Sequence, residues 1–179
     1  MPRWYLEEKG IPYDLVEVVL ASGQNLQADF LSVNPFGKLP AMRDDSVVDS
    51  EGRATTLFES GAILLHLAEH HGGEATSAYE RSLISQWTHF ANSTLAFAIF
   101  VPDQKVKVLP RLLKQLNKQL SEGFLVNQHW GAADCAVTAY LAYIKLFFPN
   151  EDLSIYPKIN SLIEETNQRP AYRKVMGLG

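Results

Sequence analysis

The sequence predicts a mixed α/β segment of about 75 residues joined to an all-helical segment of about 100. Three observations carry this expectation. An apolar, β-branched run (LVEVVL, residues 15–20) and two further short extended segments all fall before residue 60. Proline and glycine punctuate that part and become sparse beyond Gly73. From there on, every long segment repeats its apolar residues at helical spacing. With 179 residues, 46% of them apolar, the chain can build a real core.

Residues 2–9 (PRWYLEEK) read as a short helix, with Pro2 tolerated in the first turn and Gly10 suited to close it. The run 15–20 reads as a strand buried on most of both faces, as in a sheet covered by helices. Residues 24–33 form a weak helical segment, stopped by Asn34-Pro35. The loop NPFGKLPAMRDD leads into a short strand at 39–43, a turn near 44–46 follows, and 54–58 is a second short strand. Ser60 is a good N-cap for a helix with an apolar stripe of Ile63, Leu64, Leu67 and Ala68, ended by Gly72-Gly73.

In the second segment, residues 83–101 are apolar enough for a core helix, with Phe90, Phe97 and Phe100 placed in the core by their spacing. One or two of these rings could instead line an apolar pocket. Leu109, Leu112, Leu113, Leu116 and Leu120 mark one helical face. Lys107, Arg111, Lys114 and Lys118 share its other side, as a solvated face or as a basic stripe for an acidic partner. Residues 134–147 are rich in small residues and tyrosine, hence closely packed. Ile159, Leu162 and Ile163 line a last helix, interrupted at Arg169-Pro170.

Sixteen Lys and Arg against twenty Asp and Glu leave a net charge of −4, which argues against nucleic-acid binding. The single cysteine, Cys135, excludes an internal disulfide framework and a Cys-x-x-Cys pair. No apolar run approaches the ~20 residues of a membrane span, and the start has no signal-type apolar core. A cytoplasmic protein without membrane contact is expected.

Two features carry chemistry. In Lys38-Leu39-Pro40, the proline pushes Leu39 into extended geometry. Its N–H and C=O can then hold an extended peptide by two main-chain hydrogen bonds, with an ordinary loop-to-strand turn as the bland alternative. In Glu59-Ser60, a hydroxyl and first-turn amides make an anion site beside a fixed negative charge. The pair suits a zwitterionic amino-acid end; plain helix capping is the alternative. His66-Leu67-Ala68-Glu69-His70 matches a zinc-peptidase pattern, yet it offers no third ligand and lies on a helix with an apolar stripe to bury. No metal is expected there.

The runs FLSVNPFGKLPAM, LFESGAILLHLAE, WGAADCAVTAYL and IYPKINSLIEETNQRPAYRKVM, in this order and spacing, resemble the cytosolic glutathione transferases from Trp4 onward. The chain looks closest to bacterial and plant-like members, and its compact helical domain resembles the cyanobacterial chi type. The resemblance implies a thioredoxin-like glutathione-binding domain at 1–73 and an all-α domain at 78–179. It implies that Leu39, with a cis Pro40, pairs with the cysteinyl main chain of glutathione. Glu59 and Ser60 would hold the γ-glutamyl end, and Lys38 would lie near a carboxylate. Asp134 looks like the family's buried N-capping aspartate, although Gly131 replaces the usual Ser or Thr partner; Cys135 beside it would be a packed core thiol.

The family begins with a strand and turn carrying the Ser, Tyr or Cys that activates the sulfur, whereas this chain starts inside the following helix. A first strand missing from the sequence is therefore expected, with Arg3 the nearest candidate for lending positive charge to the sulfur or else an ordinary helix arginine. The implied function is conjugation of the glutathione thiolate to a small hydrophobic electrophile. Glutathione would be a co-substrate, no further cofactor would be needed, and the protein would be a homodimer through the helix after Ser60 and the first helical-domain helix. The alternative is a non-catalytic transferase-like module for binding or protein assembly.

Overall fold

The structure, a computed structural model, describes residues 1–120 and 123–178, so Gly179, the end of the expected helical domain, lies outside them. Helix α1 (Pro2–Lys9) is followed by extended chain, two single-turn 3-10 helices (Leu20–Ser22 and Gln24–Leu26) and the one-turn α2 (Ala28–Leu31). Strands β1 (Ala41–Val48) and β2 (Ala54–Phe58) then lead into α3 (Ser60–His70). The rest is helical: α4 (Ala78–His89), α5 (Ala96–Phe100), α6 (Pro102–Lys107), α7 (Leu109–Gln119), α8 (Ala132–Phe147), α9 (Pro157–Gln168) and α10 (Pro170–Met176). A π-helical turn, Phe90–Leu95, joins α4 to α5.

The two strands form an antiparallel hairpin in which Ala41 faces Phe58 and Asp44 faces Thr55. The turn expected near 44–46 is not a chain reversal. It is an irregularity inside β1, where the register shifts between Asp44 and Val48 and Asp44 Oδ1 accepts the Ser46 amide and hydroxyl. The reversal lies at 49–52, where the Asp49 carboxylate accepts the Glu51 and Arg53 amides and Gly52 takes φ 77°.

Residues 15–20 depart from expectation. They form no strand, and Leu15, Val16, Val19 and Leu20 are each exposed by half or more. A β-branched run becomes a buried strand only where a neighbouring edge accepts its hydrogen bonds. Among the described residues the sheet consists of β1 and β2, paired with each other. The Val19 carbonyl instead accepts the Ser22 and Gln24 amides and turns the chain back on itself. The weak helix expected at 24–33 is split in two by Gln27, which is extended (φ −83°, ψ 154°).

Ser77 and Glu80 form a reciprocal capping box that starts α4. Beyond the π turn, Leu95, Ala98 and Ile99 continue the buried face that Ile84, Thr88 and Ala91 begin at helical spacing, whereas Phe97 and Phe100, expected inside, fall on the other side and are exposed. Phe90 sits at the core margin against Trp87, with ring centroids 5.6 Å apart.

The core surrounds α8, whose alanines (132, 133, 136, 139 and 142) allow α1, α3, α4 and α9 to approach closely. Helix α1 is fastened to the C-terminal end of the chain. Trp4 packs on Trp130 and Tyr172 at 5.2 and 5.0 Å, Glu8 pairs with Arg169, and Glu7 with Lys174. Asp134 caps α8 as expected, accepting the Gly131 and Leu125 amides. The side chain missing at Gly131 is replaced from afar. Glu74, on the linker between α3 and α4, accepts the Ala132 amide at 2.9 Å, the Tyr5 hydroxyl at 2.7 Å and the Lys9 ammonium at 2.8 Å.

Candidate functional site

The loop before β1 is shaped by an asparagine that the sequence reading passed over. Asn34, 1% exposed, donates its side-chain amide to the Lys38 carbonyl at 2.7 Å and accepts the Phe36 amide at 3.0 Å. Asn25 holds the Gly37 carbonyl from the other side at 2.8 Å. Gly37 takes φ 63°, and a Cβ there would meet Leu26 Cδ2 at 2.9 Å, so both backbone shape and space favour glycine. Asn34 and Asn25 thereby present residues 38–40 as a fixed ledge. The Leu39-Pro40 peptide is cis. Among the described residues nothing hydrogen-bonds the Leu39 main chain, and its side chain is half exposed.

The facing wall is the start of α3. Glu59 occupies φ 69°, ψ 117°, a costly conformation for a residue with a Cβ. Strain of this kind collects at ligand clamps. No side chain caps α3, so the amides of its first turn and the Ser60 hydroxyl stay open beside the positive end of the helix dipole.

Lys38, Leu39, Pro40, Glu59 and Ser60 line one cleft of about 160 Å³. Asn34, Phe36 and Phe58 complete it, the two phenyl rings meeting edge to face at 5.3 Å. The volume is below the ~300–1,000 Å³ of a pocket that engulfs a small ligand. It therefore suits one end of an extended molecule whose remainder lies along the surface. Among the described residues neither Lys38 nor Glu59 has an ion-pair partner. The cleft thus offers one cation, one carboxylate, open helix amides and an unpaired main-chain ledge.

Arg3 does not line this cleft. Its Nε donates to the Tyr13 hydroxyl at 3.1 Å, and that hydroxyl donates to Glu7 at 2.7 Å. Cys135 is fully buried, with Sγ toward the Met1 carbonyl at 3.7 Å, and burial pushes its thiol up to about 12. It is a packing residue, as expected. His66 does not pair with His70 in a zinc-peptidase arrangement; it turns to Asp44, as does His71.

A sequence model of the glutathione S-transferase N-terminal domain matches residues 1–70, and one of the C-terminal domain matches residues 96–174. The disulfide-bond oxidoreductase YfcG of Escherichia coli (strain K12) is 32% identical over 189 residues, an alignment covering 93% of this chain and 84% of the relative. The chain belongs to the glutathione S-transferase family. Among its relatives, the glutathione S-transferase GstB of Escherichia coli (strain K12) is 28% identical, over 96% of this chain and 88% of its own. A glutathione transferase from Burkholderia graminis, solved with two glutathione molecules bound per subunit, is 27% identical. It superposes with a TM-score of 0.76 over 96% of this chain and 80% of its own. The small antiparallel sheet flanked by helices, followed by a helical domain, matches the fold of these transferases over nearly the whole chain.

Proposed function

We propose that this transferase binds glutathione in the cleft between the Lys38–Pro40 ledge and the α3 start, and conjugates its thiolate to small hydrophobic electrophiles. The observation that carries this is the convergence of free groups on one cleft. The unpaired Leu39 main chain matches the cysteinyl N–H and C=O of the tripeptide. Ser60 and the open α3 amides suit the γ-glutamyl carboxylate, Glu59 its ammonium, and Lys38 a carboxylate. Arg3, engaged by Tyr13, has a structural role in this reading.

The chemical demand is modest. A free thiol titrates near 8.5, and lowering that by ~2 units takes ~2.7 kcal/mol of differential stabilisation, within reach of one or two charge-assisted hydrogen bonds. The rest of the rate comes from positioning. Family membership supports a homodimer through α3 and α4, and the absence of any long apolar helix among the described residues accords with a cytoplasmic enzyme.

A second reading is glutathione-dependent disulfide exchange, favoured by the kinship to YfcG. With its one cysteine buried, the chain would draw both exchanging sulfurs from glutathione and substrate. Retention on immobilised glutathione, followed by parallel assays of aryl-halide conjugation and mixed-disulfide reduction, separates these readings. Turnover in the first supports conjugation, turnover in the second alone supports exchange, and retention with neither supports a binding module. Glu59→Ala and Ser60→Ala variants lose retention; unchanged retention removes those assignments.

A further inference from the structure

At the end of α3 remote from the cleft, three metal-ligating side chains converge. His66 Nε2 lies 2.8 Å and His71 Nε2 2.6 Å from the same oxygen, Asp44 Oδ2. All three ligand atoms lie within 4.8 Å of one another. Asp44 comes from β1, and the two histidines from the end of α3 and the residue that terminates it. At 1.5 Å per residue, His66 and His71 stand about 9 and 16 Å along the axis from the Ser60 end of α3.

We propose that Asp44, His66 and His71 bind a divalent transition-metal ion of the zinc type. Two imidazole nitrogens and one carboxylate oxygen are the donor set of three-ligand zinc sites, which leave a fourth position to water. At ligand bonds of about 2.0–2.2 Å, tetrahedral donors stand about 3.3–3.5 Å apart. The two imidazoles therefore open from Asp44 by somewhat more than half an ångström, a side-chain adjustment. In the metal-free state each Nε2–H donates to the carboxylate. With metal bound, that proton sits on Nδ1 and the Nε2 lone pair faces the ion.

The surroundings are built to hold this geometry. Asp44 Oδ1 accepts the Ser46 amide at 3.0 Å and the Ser46 hydroxyl at 2.7 Å, which orients Oδ2 toward the histidines. Burial alone would raise the Asp44 carboxyl, but hydrogen bonds from His66, His71 and Ser46 outweigh it and hold the group well below the usual carboxylate range. The side chains of His66 and Asp44 are 9% and 11% exposed, and that of His71 is 26% exposed, leaving an entry path on its side. His70, its ring 4.5 Å from that of His66, stands beside the site as a neighbour. A bound ion would tie the middle of β1 to the end of α3, and its binding is independent of the glutathione reading.

The test uses the full chain, stripped with chelator and titrated with zinc chloride against a chromophoric chelator, and separately with Co2+ followed by its visible absorption. One equivalent of zinc binds, Co2+ gives a tetrahedral spectrum, and the thermal midpoint rises. His71→Ala and Asp44→Asn, checked for folding by circular dichroism, each lose more than the roughly 10–100-fold in affinity typical of an outer-shell change. His70→Ala retains binding within a few-fold. Absence of stoichiometric binding by the parent chain overturns the proposal. Equal affinity in His71→Ala, or loss confined to His70→Ala, overturns it as well.

Discussion

Glu74→Ala removes a carboxylate that three donors share. The Tyr5 hydroxyl and the Ala132 amide, both on residues 0% exposed, lose their acceptor, whereas the Lys9 ammonium, 18% exposed, can turn to water. At about 1–3 kcal/mol for each stranded buried donor, the variant loses about 2–6 kcal/mol, a large share of the ~5–15 kcal/mol of a typical domain. Gly131 supplies the converse. A Cβ there would stand 2.3 Å from Glu74 Oε2, although its backbone (φ −148°, ψ −165°) suits any residue. Gly131→Ser alone therefore displaces the carboxylate and costs about 1–3 kcal/mol. In the Glu74→Ala background the space is free and a serine hydroxyl can cap α8, a gain of about 0.5–2 kcal/mol. Urea unfolding of the four proteins, followed by tryptophan fluorescence and circular dichroism, reads the coupling directly. We expect the double variant to be at least ~2 kcal/mol more stable than additivity predicts. Additive losses would refute the view that Glu74 stands in for the missing N-cap side chain.

Burial pushes the Asp134 carboxyl up to about 6 from 3.8, against the pull of the Leu125 and Gly131 amides. Well below pH 3.8 the group is protonated in both states. As pH rises toward and through 6, the unfolded chain releases this proton before the folded chain does, so stability is lost over that window, by roughly 3 kcal/mol in all. The difference in unfolding free energy between the parent and Asp134→Asn, measured from pH 4 to 7, should shift in favour of Asn; a flat difference would contradict the burial argument. Cys135 should resist aromatic disulfide reagents until the protein unfolds, and rapid native labelling would disprove its packing.

The helical domain was legible because burial there follows period: Leu109, Leu113 and Leu116 of α7 and Ile159 and Ile163 of α9 all face inward. The ledge and the α3 start were legible because proline, glutamate and serine act on their own backbone, a local effect. Asn34 was passed over because its role depends on reaching back to Lys38, and asparagine before proline reads equally as a simple breaker. The run at 15–20 misled because β-branched composition reports fitness for a sheet, whereas a strand needs an edge to pair with. Phe97 and Phe100 misled because their spacing places them on one helical face, but that face lies opposite the one that Ile84, Ala91, Leu95 and Ile99 bury.

By itself the sequence determined the order of α1, the two paired strands, α3 and the later helices, the α/β-then-helical division and the five residues that meet in the cleft, since each follows from neighbours within a turn or a strand. Tertiary structure alone decided what depends on distant chain segments meeting. Glu74 reaches Ala132 across 58 positions, and Asp44 meets His66 and His71 from 22 and 27 positions away. His71 joins them only because the chain leaves helical geometry there, at φ −129°. In an unbroken helix, positions 66 and 71 point about 140° apart, and no spacing rule would place them on one ion.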